Sequence, residues 1–212
     1  AELIAIKYPD LKSVYGGALN EIRYLFGAER GHKLATANLE VTNACNLSCT
    51  ICPVPSVMKR KKGFMDFGLF TKIIDENPQF EFILPFQWGE PLLHPEIFNM
   101  ISCASAKGIR TMMTTNGALL DGEKVEALLK SGLTRLTVSM DGMGEKYESI
   151  RGAGYAKLEK TIEELCGRRT KSGSALKIDL SMVVFGETEK EIGAFFRSWA
   201  GKVDRVQLVP KL

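Results

Sequence analysis

The feature that most constrains this chain is a rhythm. Short apolar runs alternate with longer amphipathic ones. "NLEVT" (38–42), "FEFILPF" (80–86), "IRTMMTT" (109–115), "LTRLTVSM" (133–140), "LKIDLSMVV" (176–184) and "DRVQLVP" (204–210) have the length and β-rich content of strands. Between them lie helix patterns near 67–76, over "HPEIFNMISCASAKG", over "DGEKVEALLKSG", over "YAKLEKTIEELCGRRTKSG" and over "EKEIGAFFRSWAG". Pro95 near a first turn, Asp121 near another, and Gly108 and Gly132 as stops mark the helix limits. The inward stripes are Ile97, Ile101 and Ala104, then Val125, Leu128 and Leu129, then Leu158, Ile162 and Leu165. Six strands with five intervening helices predict parallel pairing through right-handed crossovers. Six units are too few for a closed eight-stranded barrel. The expected fold is α/β: a partial, open six-stranded (β/α)6 TIM-like barrel over 37–212. A doubly wound sheet is the competing architecture. Residues 1–36 form an N-terminal extension with a short amphipathic helix, "ALNEIRYLFG" (18–27).

In either architecture a ligand binds at the C-terminal ends of the strands. The unusual residues fall there. Cys45, Cys49 and Cys52 follow the first strand, "QWGEP" the second, "TTNG" the third and "SMDG" the fourth. Four consecutive strand ends with polar or glycine-rich loops converge in such a fold, and this is the internal argument for an active site.

Composition removes several alternatives. A formal net charge of +3 over 212 residues gives no basis for nucleic-acid binding. No apolar run approaches the ~20 residues of a membrane span. The first residues are interrupted by Glu2, Lys7, Asp10 and Lys12, unlike a secretory signal. Five cysteines, three of them within eight residues, point to metal in a reducing compartment rather than to disulfides. The expected location is cytoplasmic. A start at Ala1 fits a trimmed initiator Met or a piece of a longer chain.

The spacing Cys-x3-Cys-x2-Cys has no second pair, whereas a structural zinc site takes four ligands. His94 is the one candidate for a fourth. Asn46, Ser48 and Thr50 make the loop too polar for buried core cysteines. Thiolates also hold iron–sulfur clusters, and three of them on a four-iron cluster leave one iron free. Cys103 and Cys166 lie in helices near inward faces and are expected in the core. The run "KRKK" (59–62) is expected as a solvated loop, with contact to an anionic substrate as the alternative. His32 belongs to no pattern.

This arrangement resembles the radical S-adenosylmethionine (SAM) family over about residues 38–210. The resemblance implies a 4Fe-4S cluster on Cys45, Cys49 and Cys52. It implies SAM on the fourth iron and reductive cleavage to a 5′-deoxyadenosyl radical that takes hydrogen from a substrate. "WGEP" resembles the family's Gly-Gly-Glu motif, with Gly89 and Glu90 matched and Trp88 in place of the first glycine. Glu90 then faces the SAM ammonium, and Gln87 the same pocket. Thr115 and Asn116 meet the methionine part, and Ser139 and Asp141 its carboxylate or the ribose hydroxyls. Arg151 pairs with the carboxylate, and Ile51 covers the adenine. Turn-making is the competing role for the Asn-Gly and Asp-Gly pairs.

"TNACNLSCTICP", "GEPLLHPEIF" and "SMDGMGEKYESIRG" resemble the SPASM or twitch subgroup, whose members often carry a cysteine-rich C-terminal extension. This chain stops at Leu212 without one. The expectation is a minimal member or the core of a longer protein whose last strand needs a cover. The partners implied are an electron donor of flavodoxin or ferredoxin type and a peptide or small-molecule substrate. The alternatives are a non-catalytic iron–sulfur scaffold and a zinc-binding structural domain.

Overall fold

The computed structural model describes residues 35–211; the helix expected at 18–27 lies outside them. Six strands form one sheet in chain order. They are β1 (Thr36–Asn38), β2 (Phe82–Leu84), β3 (Arg110–Thr115), β4 (Arg135–Ser139), β5 (Lys177–Val184) and β6 (Arg205–Pro210). Every neighbouring pair is parallel. Sequential order rules out the doubly wound alternative, which reverses its strand order at a switch point. Among the described residues β1 and β6 each pair on one side only, so the sheet is an open barrel rather than a closed one.

The helices are α1 (Phe67–Glu76), α2 (Ile97–Ala106), α3 (Gly122–Lys130), α4 (Gly144–Arg151), α5 (Tyr155–Ser172) and α6 (Ile192–Trp199). Asp66 caps α1 by accepting from the Leu69 amide, and Asp121 caps α3 by accepting from that of Lys124. The helix stripes bury Ile97, Ile101, Ala104, Val125, Leu128, Leu158, Ile162 and Leu165 against the sheet. Leu129, Cys103 and Cys166 pack half-buried on the same core. No helix among the described residues is long and apolar enough to cross a membrane.

Three local expectations are corrected. The first strand pairs at 36–38 rather than 38–42. Beyond Leu39, whose amide still reaches the Leu84 carbonyl at 3.0 Å, the chain leaves β2. It meets a returning loop instead: Met65 N donates to Val41 O at 2.7 Å, and Thr42 bridges Phe64 in antiparallel sense. The second strand is shorter than its apolar run, since Pro85 has no amide to donate. Nor is it buried on both faces: Phe82 is half-buried under the Arg110 guanidinium, 4.1 Å from the ring centre. Finally, α4 has no counterpart in the sequence reading. It buries only Tyr147 and Ile150, too narrow a stripe to stand out in "GEKYESIR".

At the N-terminal end of the sheet, Asp179 is fully buried on β5. Its oxygens take Arg135 Nη1 at 2.6 and 2.7 Å, Arg205 Nη2 at 2.7 Å and Gln207 Nε2 at 3.0 Å. Three strands are thereby tied together on the side away from the cysteines. Removing one partner of a buried pair strands the other charge. Here Arg135 and Arg205 keep 27% and 45% of their side-chain surface exposed, so water relieves part of the loss. Asp179→Ala should therefore cost about 3 kcal/mol, the low end for such a break, measured by urea unfolding.

Candidate active site

The cysteine loop is built by three anchors. Thr42 Oγ1 accepts from the Ala44 amide at 3.1 Å and turns the chain. Glu90 N donates to Ala44 O at 2.8 Å, tying the loop after β2 to the residue before Cys45. Thr50 N donates to Ile150 O at 2.9 Å, docking the far side of the loop on the C-terminal end of α4. Gly89 explains itself in this contact. A β-carbon there would stand 2.2 Å from Thr42 O and 2.7 Å from Ala44 O, both backbone atoms that have nowhere to go. The glycine lets one strand-end loop lie directly on the other.

Glu90 is 2% exposed. Its Oε1 accepts from Thr115 Oγ1 at 2.7 Å and from Leu92 N at 3.0 Å, and its Oε2 accepts from Asn116 N at 2.7 Å. A carboxylate has about four lone-pair sites, so one on Oε2 is left. Burial pushes the Glu90 carboxyl above its ordinary value; the bonds from Asn116, Thr115 and Leu92 and the Arg151 charge pull it back only in part. Asn116 spans the gap to the cysteines. Its Nδ2 donates to Asn46 Oδ1 at 2.9 Å and lies 3.8 Å from Cys45 Sγ.

Arg151, the last residue of α4, is set by the left-handed turn at Gly152, φ 67°. Its guanidinium pairs with Asp141 at 2.5 Å, with only 13% of its side chain exposed, and its buried Nε makes no hydrogen bond. Cys49 lies next to it, its Sγ 3.8 Å from Arg151 O. Burial pushes the Cys49 thiol up, and the Arg151 charge offsets this only in part.

These loops surround a cavity of about 260 Å³. Eleven of the twelve candidate residues line it. Cys45, Cys49, Ile51 and Cys52 come from the first loop, Gln87, Gly89 and Glu90 from the second. Thr115 and Asn116 come from the third strand end, Ser139 from the fourth, and Arg151 from α4. Asp141 is the exception. It is fully buried behind Arg151 and accepts from the Val183 amide at 2.7 Å. Pro53, Phe86, Trp88 and Thr114 also line the cavity. The sequence reading gave no cavity role to Pro53, Phe86 or Thr114. Each is the immediate neighbour of a candidate, which was the available signal.

No group of three or more His, Cys, Asp or Glu side chains among the described residues is arranged around a single ion. His94 does not supply a fourth ligand. Met65 O only accepts, so His94 Nε2, 2.8 Å away, donates to it; the Glu96 amide only donates, so His94 Nδ1 accepts at 3.1 Å. Both ring nitrogens are spent. Three cysteines that line one cavity together with a carboxylate and a guanidinium suit a cluster with one open corner and a zwitterion beside it.

The PqqA peptide cyclase of Gluconobacter oxydans is 28% identical over 159 residues, covering 74% of this chain and 43% of that protein. An AdoMet-dependent heme synthase of Methanosarcina barkeri is 36% identical over 125 residues, covering 58% and 36%. The fold is shared with Streptococcus suis SuiB bound to S-adenosylmethionine, at TM-score 0.72 and 17% identity over 92% of this chain and 45% of SuiB. It is also shared with SuiB bound to its precursor peptide SuiA, at TM-score 0.67 and 18% identity over 100% and 47%. The chain spans less than half the length of each of these proteins. The profile of the Radical SAM superfamily matches residues 39–198, and the chain belongs to that superfamily of enzymes.

Proposed function

We propose that the chain is the catalytic core of a radical SAM enzyme acting on a peptide. The observation that carries this reading is the sharing of one cavity by three cysteines, Glu90 and Arg151. When bound, a 4Fe-4S cluster and SAM supply one-electron cleavage of the sulfonium and hydrogen-atom abstraction from a substrate. Cys45, Cys49 and Cys52 hold the cluster through three thiolates. Glu90 turns its remaining lone pair to the SAM ammonium. Arg151, whose Nε lacks a partner, takes the SAM carboxylate, and Ser139 supports it. Asp141 acts through Arg151 by fixing the guanidinium. Asn116 and Thr115 hold Glu90 in place, Ile51 covers the adenine, and Pro53 and Phe86 keep water from the cavity. Two relatives support the peptide reading, a peptide cyclase and SuiB bound to a precursor peptide. A small molecule is the other substrate class. The electron comes from a donor of flavodoxin or ferredoxin type in the cytoplasm.

The cysteines give the first test. Anaerobic reconstitution should load about four irons per chain with a broad visible absorption. Cys45→Ala, Cys49→Ala and Cys52→Ala should each lose the cluster, while Cys103→Ala and Cys166→Ala keep it. Full iron content in any of the first three would refute the ligand assignment.

Glu90 gives the second. A charge-assisted contact in a dry pocket contributes ~1.5–3 kcal/mol, so Glu90→Gln should weaken SAM binding roughly tenfold or more. The sign of the pH effect follows from the raised carboxyl. Protonated Glu90 favours the empty fold, and this gain fades as pH rises through its titration. An ammonium favours the ionised form, so SAM affinity should rise over the same window. Calorimetric titration should show that rise in the native protein and lack it in Glu90→Gln. The same pH profile in both would refute the contact.

A further inference from the structure

The loop that follows Cys52 carries charge in an unusual way. Residues 53–62, "PVPSVMKRKK", hold four cations and no anion. A basic run is ordinarily a solvated face whose side chains move freely. Here the backbone beneath it is fixed. Thr42 Oγ1 donates to Gly63 O at 2.8 Å, Asn43 Nδ2 to Lys61 O at 3.0 Å, and Gly63 N to Asn43 Oδ1 at 2.8 Å. Met65 N donates to Val41 O at 2.7 Å. The basic loop is thus sewn to the segment that leads into Cys45.

Arg60 is spent in this attachment. It grips Glu40 with two nitrogens, at 2.7 and 3.1 Å, and Glu40 in turn accepts from the Trp88 amide at 3.3 Å. Lys59, Lys61 and Lys62 are exposed, and none has an ion-pair partner among the described residues. Large apolar side chains stand on this stretch and on the loop after β2, which Glu40 joins to it. Val57 is 69% exposed, Phe64 55% and Trp88 43%. Basic residues beside exposed apolar ones, on a fixed support, form a surface built for a partner of opposite charge.

The place of the surface decides which partner. Trp88 lines the cavity, but none of the three lysines does. A substrate must put its reacting atom inside the cavity, whereas a reductant has only to pass an electron to the cysteine side. We infer that Val57, Lys59, Lys61, Lys62, Phe64 and Trp88 dock an acidic one-electron carrier protein. This rests on the radical SAM reading above. The carrier gives up one electron and the cluster takes up one; no bond or proton moves. Such encounters bury little surface and depend on steering, so they are sensitive to salt.

The test uses the full chain and an acidic flavodoxin as probe. Binding is measured by calorimetry or by chemical-shift changes on the flavodoxin, at low and high salt. The variant is Lys59→Glu/Lys61→Glu/Lys62→Glu, with the Lys→Gln triple as a milder form and circular dichroism as a check on folding. The expected result is a tenfold or greater loss of flavodoxin affinity on charge reversal, a smaller loss with glutamine, and weaker native binding at high salt. SAM cleavage driven by flavodoxin should fall in step, while cleavage driven by dithionite, which needs no docking, stays level. Native-like flavodoxin binding by the charge-reversal variant overturns the inference. So does a variant that keeps flavodoxin but loses an acidic peptide, which assigns the surface to substrate. Failure of dithionite to cleave SAM in the native protein refutes the radical SAM reading instead, and the binding measurements still decide the docking.

Discussion

The Glu90 carboxylate accepts from Thr115 Oγ1, from Asn116 N and from Leu92 N, in a place that is 2% exposed. An unpaired charge there would be costly, so these donors decide whether the site forms at all. Two of them belong to the end of β3 and one to the turn after β2. Satisfying the carboxylate therefore fixes the distance between two strand-end loops. Glu90 N then donates to Ala44 O, and Gly89 lets the backbones touch. The third loop, with the cysteines, is positioned by the same residue pair. The polar side chains of the cavity bond to one another and to neighbouring backbone amides, and present what is left.

The two ends of the sheet use charge in opposite ways. At the N-terminal end, Asp179 is surrounded by Arg135, Arg205 and Gln207, and its oxygens are taken up. At the C-terminal end the groups are left incomplete. Arg151 keeps a bare Nε, Glu90 a spare lone pair, and the three cysteines line the same cavity. A closed network holds strands together; an unfinished one awaits a ligand. That difference in charged groups, together with the cavity they line, marks the C-terminal end as the site.

Much of this was legible in the sequence because strand ends carry short, unusual motifs on a regular period. The cysteines, "QWGEP", "TTNG" and "SMDG" did converge on one cavity. What stayed hidden was hidden for physical reasons. The first pairing shifted to 36–38 because Val41 and Thr42 bond to a loop more than twenty residues away, and no local pattern encodes that. Helix α4 buries two side chains only, yet it delivers Arg151 and receives the cysteine loop through Ile150 O. Asp141 carries the right chemistry, but it lies two residues beyond β4, fully buried behind Arg151. Gly89 matches a cofactor-binding motif, yet its tightest neighbours are the protein's own carbonyls.

The account stands on the claim that this cavity brings a reducible cluster and SAM together. The most direct measurement is the appearance of 5′-deoxyadenosine and methionine when the iron-loaded chain is reduced with dithionite in the presence of SAM under strict anaerobiosis. The account predicts that the two products appear in equal amounts and depend on Cys45, Cys49 and Cys52. Iron-loaded, fully reduced protein that leaves SAM intact would contradict it.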